Sequence, residues 1–299
     1  EFDAACEELR SKLASIIPIY FSDIDFILSY AAAGSYIRFF TLNHSGTLFP
    51  LTDRLNLTIR VDRLQAIRAV TNIIRIMITI KDTLPTNVLP LGRTLKKGDS
   101  TITFYDNFVE KRISSFNRLY PFANVNTLKQ IYKLARHKRG LVHAKDLPSV
   151  KKGLYKVTLG TQGFHRLPQT EDEFRMIIED ILNGLVTLHD SGFVHRDIRW
   201  SNILRTIDGK YVLIDFEHSG LANEIPQFES LMGWDMNTLE LGKYTCLSDM
   251  YQVGKLFVGE SVILSEIGMS FMANLQNADH SARMTAKTAL QHEWIIHAQ

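Results

Sequence analysis

Cysteine is scarce in this chain: Cys6 and Cys246 are the only thiols in 299 residues. Two are too few for a disulfide framework or a cysteine-built zinc centre, and they suit a reducing, intracellular compartment. Long apolar runs are lacking too. The most apolar stretch, Ile73 to Ile80, is short and interrupted by Arg75. A membrane-crossing helix needs about 20 apolar residues, so no membrane partner is expected. His165, His189 and His218 fall at no metal-ligand spacing and read as structural. Acidic residues vanish from one segment, since no Asp or Glu lies between Lys111 and Lys145. The chain begins Glu1-Phe2 rather than with Met, which is how an excised piece reads.

What is present is ordinary globular material. Hydrophobic residues make up 45% and charged residues 22%, typical of a folded soluble protein, and the length suits about two domains. The first eighty or so residues read as a small α/β unit. Ser35 to Leu42 is rich in aromatic and branched residues, Asn43-His44-Ser45-Gly46 is turn chemistry, and Thr47 to Leu51 suits a returning strand. From Val61 to Ile80 the residues Leu64, Ile67, Val70, Ile74 and Met77 recur at helical spacing. The unit has no paired carboxylates with a following lysine, as a nuclease would need, so it is expected to be a packing or regulatory cap. Pro85 and Pro90 bracket a linker.

Beyond the linker, Val88 to Leu95, Thr101 to Tyr105 and Phe108 to Ile113 read as short strands, with Lys97-Gly98-Asp99 and Asp106-Asn107 as turns. Leu128 to His137 reads as helix and Leu154 to Leu159 as strand. Glu171 to Asp190 is a long amphipathic helix with Phe174, Ile177, Ile178, Ile181, Leu185 and Leu188 on one face. Thr170 caps it, and Glu171, Asp172 and Glu173 complement the helix dipole. The remainder is expected to be mainly helical.

The chemistry lies after this helix. His195-Arg196-Asp197-Ile198-Arg199-Trp200-Ser201-Asn202 is followed by an apolar strand, Tyr211 to Ile214, that ends in Asp215-Phe216. Phosphoryl transfer needs one carboxylate to orient the acceptor hydroxyl, and a second carboxylate with an amide oxygen to hold magnesium against the phosphates. Asp197 suits the first role; Asn202 and Asp215 suit the second. Arg199 supplies positive charge beside the base, and His195 reads as a support beneath the loop. A lone Asp-Phe pair is common by chance, but the ordered set is not.

These motifs resemble a protein-kinase catalytic lobe. Ser248-Asp249-Met250-Tyr251-Gln252-Val253-Gly254 is similar to the buried helix that anchors a kinase catalytic loop. Arg283-Met284-Thr285-Ala286, followed by Ala289 to Ile295, is similar to the end of a kinase domain, with Glu240 expected to pair with Arg283. Arg199-Trp200, together with Gly34 to Phe40 and a helix containing Asp62-Arg63-Leu64, resembles the kinase-like domain of Crinkler effectors and related fungal kinases of the FunK1 type. The resemblance implies an α+β, bilobal protein-kinase-like fold with an additional N-terminal α/β unit: residues 1–84 the cap, 85–160 the N-lobe and 161–299 the C-lobe. It implies an ATP- and magnesium-dependent Ser/Thr protein kinase. Lys111, Asp197 and Arg199 would be catalytic, and Lys111, Asn202 and Asp215 would hold the cofactors. The substrate would be protein. Some Crinklers are effectors delivered into host cells, so a host nuclear destination is expected.

The pattern departs from ordinary kinases at three points. Lys111 is the candidate for the strand lysine that grips the α- and β-phosphates, yet the next helix offers it no glutamate. Lys129 or Gln130 stands at roughly the expected place, and an amide holds a lysine less firmly than a charge does. Gly92-Arg93-Thr94-Leu95-Lys96-Lys97-Gly98 lacks the glycine spacing of a phosphate-covering loop. Glu217 follows Asp215-Phe216 where glycine is usual, and is expected to bind a second ion or to repel nucleotide. Two alternatives follow. Asp215 to Gly220 suggests a small-molecule kinase of the choline-kinase kind. The other is a pseudokinase scaffold that binds nucleic acid or an acidic partner through a basic N-lobe. From Lys111 to Lys156, twelve basic residues stand against one acid, Asp146, an excess of eleven in a chain of net charge +2. Arg136, Lys138 and Arg139 are the candidate contacts to DNA or a host nuclear protein. Arg196 precedes the base, as in kinases regulated by loop phosphorylation, with Ser219, Ser230 and Thr238 as candidate acceptors.

Overall fold

A computed structural model describes residues 1–12, 26–43, 47–81, 94–105, 107–206, 208–226, 231, 234–258 and 262–296. The chain divides into two compact units, residues 1–89 and 90–299.

In the first unit, helix α1 (Phe2–Lys12) precedes an antiparallel hairpin of β1 (Phe26–Ala33) and β2 (Tyr36–Asn43). Gly34, at φ +58°, makes the turn between them, in a left-handed conformation that glycine adopts without steric cost. The strand pattern legible from Ser35 onward starts beside this glycine and leaves β1 unmarked, because its run of three alanines carries little strand propensity. β3 (Leu48–Pro50) and β4 (Leu55–Asn56) both pair with β2. Phe2 packs with Ala31 and Phe40, and the Arg54 guanidinium lies 4.3 Å from the Phe2 ring centre and 4.2 Å from that of Tyr36. Helix α2 (Arg60–Lys81) follows, its start fixed by the Asn56 N–H, which donates to Asp62 at 2.7 Å. The helix covers the expected span, but Leu64, Ile67, Val70, Ile74 and Met77 are exposed. Most of the expected Asn43 to Gly46 turn, the Pro85 to Pro90 linker and Gly92-Arg93 lie outside the described residues.

The second unit has two lobes. In chain order the first holds β5 (Thr94–Lys97), β6 (Ser100–Phe104), β7 (Val109–Ile113), α3 (Phe116–Leu119), α4 (Val125–Leu134), β8 (Ala144–Lys151) and β9 (Leu154–Leu159). The strands form one antiparallel sheet in the order β5-β6-β7-β9-β8. Asn124 caps α4, its side chain accepting from Asn126 N and Thr127 N. Leu128, Ile131 and Tyr132 of α4 are buried in one core with Ile113, Tyr155 and Val157 of the sheet.

The second lobe holds β10 (Gly163–Phe164), α5 (Glu171–Asp190), β11 (Phe193–Val194), β12 (Ile203–Thr206), β13 (Tyr211–Leu213), β14 (Gly220–Leu221), α6 (Cys246–Lys255), α7 (Glu266–Leu275), α8 (Ala286–Ala289) and α9 (Glu293–Ile296). Helix α5 is its axis. The Glu173 N–H donates to the Thr170 hydroxyl at 3.2 Å, and Phe174, Ile177, Ile178, Ile181, Leu185 and Leu188 are all buried as expected, joined by Leu182. Each such side chain contributes about 1.5–3 kcal/mol on leaving water. The segment leading into β8 threads between α5 and β13. Val142 N donates to Leu213 O and Leu213 N to Gly140 O, each at 2.9 Å. A Cβ on Gly140 would stand 1.9 Å from Asp180 O, so only glycine permits this approach. These bonds tie the sheet lobe to the helical lobe and set the floor and roof of a cleft.

Candidate active site

The loop from His195 to Asn202 follows β11, and one buried carboxylate holds its underside. Asp249, on α6, accepts from His195 N at 2.8 Å, Arg196 N at 3.0 Å and the Tyr244 hydroxyl at 2.8 Å, and His189 Nε2 lies 3.0 Å away. Burial pushes the Asp249 carboxyl up, but these donors, His189 foremost, outweigh it and hold it below the ordinary carboxylate range. Gln252, on the same helix, accepts from Ile198 N at 2.7 Å and donates to Arg196 O at 3.0 Å. The Trp200 indole donates to Leu256 O at 3.1 Å, with its ring against Phe174. Enclosed this way, Arg196 is held at φ +72°, a left-handed angle that costs a non-glycine residue about 1–3 kcal/mol. The helix read as the loop's anchor does anchor it, and His195 supports the loop through Nε2 to Ile214 O at 2.9 Å.

Above this floor lie the candidate residues. Asn202 Nδ2 donates to Asp197 O at 2.8 Å and to Asp197 Oδ2 at 2.7 Å. Arg199 Nε lies 3.1 Å from Asp197 Oδ1. Ile214 N donates to Asn202 O at 3.0 Å, which sets Asn202 beside Asp215. Asp215 itself sits at φ +68°. From the opposite lobe, Lys111 on β7 reaches Asp215 Oδ1 at 2.8 Å and Glu217 Oε2 at 2.9 Å. Burial pulls the Lys111 ammonium down, but Asp215 and then Glu217 more than offset it, and its pKa rises well above the ordinary lysine value. Burial likewise pushes Asp215 up, and Lys111 reverses the shift. The structure therefore brings Lys111, Asp197, Arg199, Asn202 and Asp215 to one cleft.

Asn202 turns its amide nitrogen to Asp197, which leaves its carbonyl oxygen and the Asp215 carboxylate as the hard oxygen donors that magnesium takes. Among the described residues, no three His, Cys, Asp or Glu side chains gather as a self-sufficient metal cage. The donor set thus fits an ion that completes its shell from water and phosphate, as magnesium does in nucleotide sites.

Several expectations are corrected. Glu217 is bonded to Lys111, and its side chain is 2% exposed, so its charge is met within the protein. Gln130 is exposed on α4 and does not face the lysine. Tyr132 faces it instead. Its ring meets Phe216 edge-on at 5.0 Å, and Phe216 in turn meets His195 at 5.6 Å. Burial first, then the Glu217 charge, raises the Tyr132 hydroxyl pKa far above its ordinary value. Arg283 donates to Asn277 O at 2.6 Å and Asn237 O at 2.8 Å and lies over the Tyr251 ring; backbone carbonyls do the work expected of Glu240. Ser219 is buried and donates to His195 O at 3.1 Å, and Thr238 is buried too, so neither is open to phosphorylation. Ser230 lies outside the described residues. Arg196 donates to Leu221 O at 2.8 Å and to Glu224 at 3.2 Å, so a carboxylate of the chain already meets it.

The basic stretch is less open than its composition suggests. Lys111, Arg112, Arg118, Arg139 and Lys156 are all ion-paired, Arg112 and Lys156 with the buried Glu110. Arg139 is corrected as a nucleic-acid candidate: it pairs with Glu179 and with the buried Asp180 on α5. Arg136 and Lys138 are exposed. Sequence reasoning missed the roles of Glu217, Tyr132 and Glu224. A signal for the first was present: a lysine followed by no acid before Asp146 must find one elsewhere, and Glu217 stands two residues after Asp215.

Fold and site together define the larger unit as a protein kinase domain. The family model described as protein kinase domain matches residues 150–258. Crinkler effector protein 8 of Phytophthora infestans is 26% identical over 94% of this chain. Cell division control protein 7 of Schizosaccharomyces pombe is 28% identical over 45% of the chain and 15% of its own length. Serine/threonine-protein kinase hippo of Drosophila melanogaster is 34% identical over 28% of the chain and 14% of its own length. The likeness to the Crinkler runs across both units, so the chain is similar along its length to a Crinkler kinase-like domain. It spans about half, 48%, of the length of Crinkler effector protein 8.

Proposed function

We propose that this chain is a magnesium-dependent protein kinase that transfers the γ-phosphoryl group of ATP to Ser or Thr hydroxyls. The observation that carries the reading is the convergence of Asp197, Asn202, Asp215 and Lys111 on one cleft above an intact loop floor. Asp197 orients the acceptor hydroxyl and takes its proton. Arg199, beside it, stabilises the charge that spreads over the transferred group. Asn202 and Asp215 hold magnesium, and Lys111 grips the phosphates. Magnesium, when bound, supplies the positive charge that offsets the phosphate oxygens. A protein acceptor is supported by the kinase relatives, among them one named a serine/threonine-protein kinase. The proposed setting is inside a host cell, the nucleus included, on the name of the effector relative and on the exposed Arg136-His137-Lys138 segment.

The test is incorporation of radiolabelled phosphate into protein by the wild-type chain and by Asp197→Ala. Removing the base is expected to lower the rate by about 10²–10⁴-fold with little change in melting temperature. Equal incorporation by the two would overturn the reading.

A further inference from the structure

We infer that Glu217 is the residue that positions Lys111 for phosphate, in place of a glutamate on the helix packed against it; the inference rests on the kinase reading above. The first ground is supply. No acid occurs between Lys111 and Lys145, and the buried face of α4 offers only Leu128, Ile131 and Tyr132. The lysine's lasting carboxylate must come from elsewhere, and Glu217 Oε2 stands 2.9 Å from Nζ.

The second ground is a division of labour between two carboxylates two residues apart. The Asp215 side chain is 37% exposed and opens to the cleft; that of Glu217 is 2% exposed. An incoming magnesium ion competes with Lys111 for Asp215, because a cation and an ammonium seek the same oxygens. Glu217 is the less accessible of the two. When Asp215 turns to metal, Lys111 therefore keeps one partner, in a site where little solvent screens the pair.

The third ground is cost. Lys111 takes Glu217 Oε2, and the Tyr155 hydroxyl, which also faces Tyr132, is the neutral group beside the carboxylate. A carboxylate buried among apolar rings, with one lysine for its charge, is expensive. Such an expense points to a site shaped by function more than by stability. The short turn Phe216–His218 holds Glu217 in place, with Phe216 wedged between the rings of Tyr132 and His195.

One consequence is regulatory. In kinases whose lysine partner rides on a helix, moving that helix switches the site. Here the lysine's partner and the metal-binding aspartate share one three-residue segment, so the charge pair of Lys111 does not ride on α4.

The experiment uses the full chain and compares wild type, Glu217→Gln and Glu217→Asp by melting temperature, Mg-ATP affinity, and kcat and KM for ATP. Glu217→Gln keeps the shape and removes the charge. It is expected to melt within a few degrees of wild type, to raise the KM for ATP, and to lower kcat/KM about 100-fold, the scale of a misplaced reacting group. Glu217→Asp, which restores the charge on a shorter arm, recovers part of the loss; should the Gln variant melt early, this variant carries the comparison instead. Wild-type or higher kcat/KM in the charge-removed protein overturns the inference and leaves the kinase reading standing. If the wild type binds Mg-ATP without Asp197-dependent turnover, the kinase reading falls and affinity decides: weaker binding by Glu217→Gln supports the pair, and equal binding overturns it. If the wild type binds no Mg-ATP, both fall.

Discussion

Beneath the loop from His195 to Asn202, one carboxylate, Asp249, gathers donors from three separate parts of the chain; around Lys111, one ammonium gathers two carboxylates from a single three-residue segment. The floor is redundant. His189, His195, Arg196 and Tyr244 all converge on Asp249, and Gln252 adds two further bonds to the loop. The roof is concentrated, with little but Glu217 to hold Lys111 once Asp215 is otherwise engaged. Redundant bonding makes a region whose failure is felt as stability. Concentrated bonding makes one whose failure is felt as function.

The sharpest way to break the contrast is Asp249→Ala. It strips an acceptor from three buried donors at once, and removing one member of a buried charged network costs about 3–5 kcal/mol. That should lower the melting temperature of the larger unit by roughly 10 °C and take activity with it. Glu217→Gln should do the reverse, costing activity at a nearly unchanged melting temperature. If the two variants lose stability equally, the distinction between floor and roof fails.

A smaller effect is expected where the two lobes are tied together. Arg139→Ala removes the cationic partner of the buried Asp180, which keeps the Tyr211 N–H, at 2.7 Å. Because the guanidinium is about half exposed, its pairing is partly screened, and a loss of about 1 kcal/mol is expected in chemical denaturation. DNA affinity should not change, which separates this structural role from nucleic-acid contact; a clear loss of DNA binding would restore Arg139 as a contact residue.

The smallest effect concerns pH. Burial, helped by His137 and Arg136, holds the His143 imidazole below its ordinary value. The unfolded chain then takes up the proton first as pH falls. The contribution of His143 to stability is whole above the ordinary histidine range near 6.5 and declines as pH drops through that value toward the lowered native one. Melting temperatures between pH 7.5 and pH 5, a window set by that ordinary value of about 6.5, should fall less steeply for His143→Gln than for wild type. Parallel curves would show that His143 titrates alike in both states.

How much of this was legible in the chain depended on distance along it. Asp197, Arg199 and Asn202 lie within one short loop, where local backbone geometry sets their relations, so their spacing could be read directly. Helix α5 declared itself through its period, its Thr170 cap and its acidic first turn, and its apolar face is buried as read. Helix α2 has an equally regular apolar period, yet that face is exposed, because periodicity states which residues share a side and is silent on what meets that side. Glu217 was visible as an oddity in its motif, but its partner was not. Nothing local relates it to a lysine 106 positions earlier.

The amino-acid sequence by itself determined the two-lobed α+β class, the loop with its aspartate and asparagine, the helix that anchors that loop, and the absence of a carboxylate between Lys111 and Lys145. These follow from short-range patterns: period, caps and spacing. The tertiary structure alone decided which carboxylates Lys111 meets, that Arg139 pairs with Asp180, and that carbonyls rather than Glu240 satisfy Arg283. Composition states how much charge must be neutralised when side chains leave water. Only the packing of distant segments settles which partner arrives close enough, and dry enough, to do it.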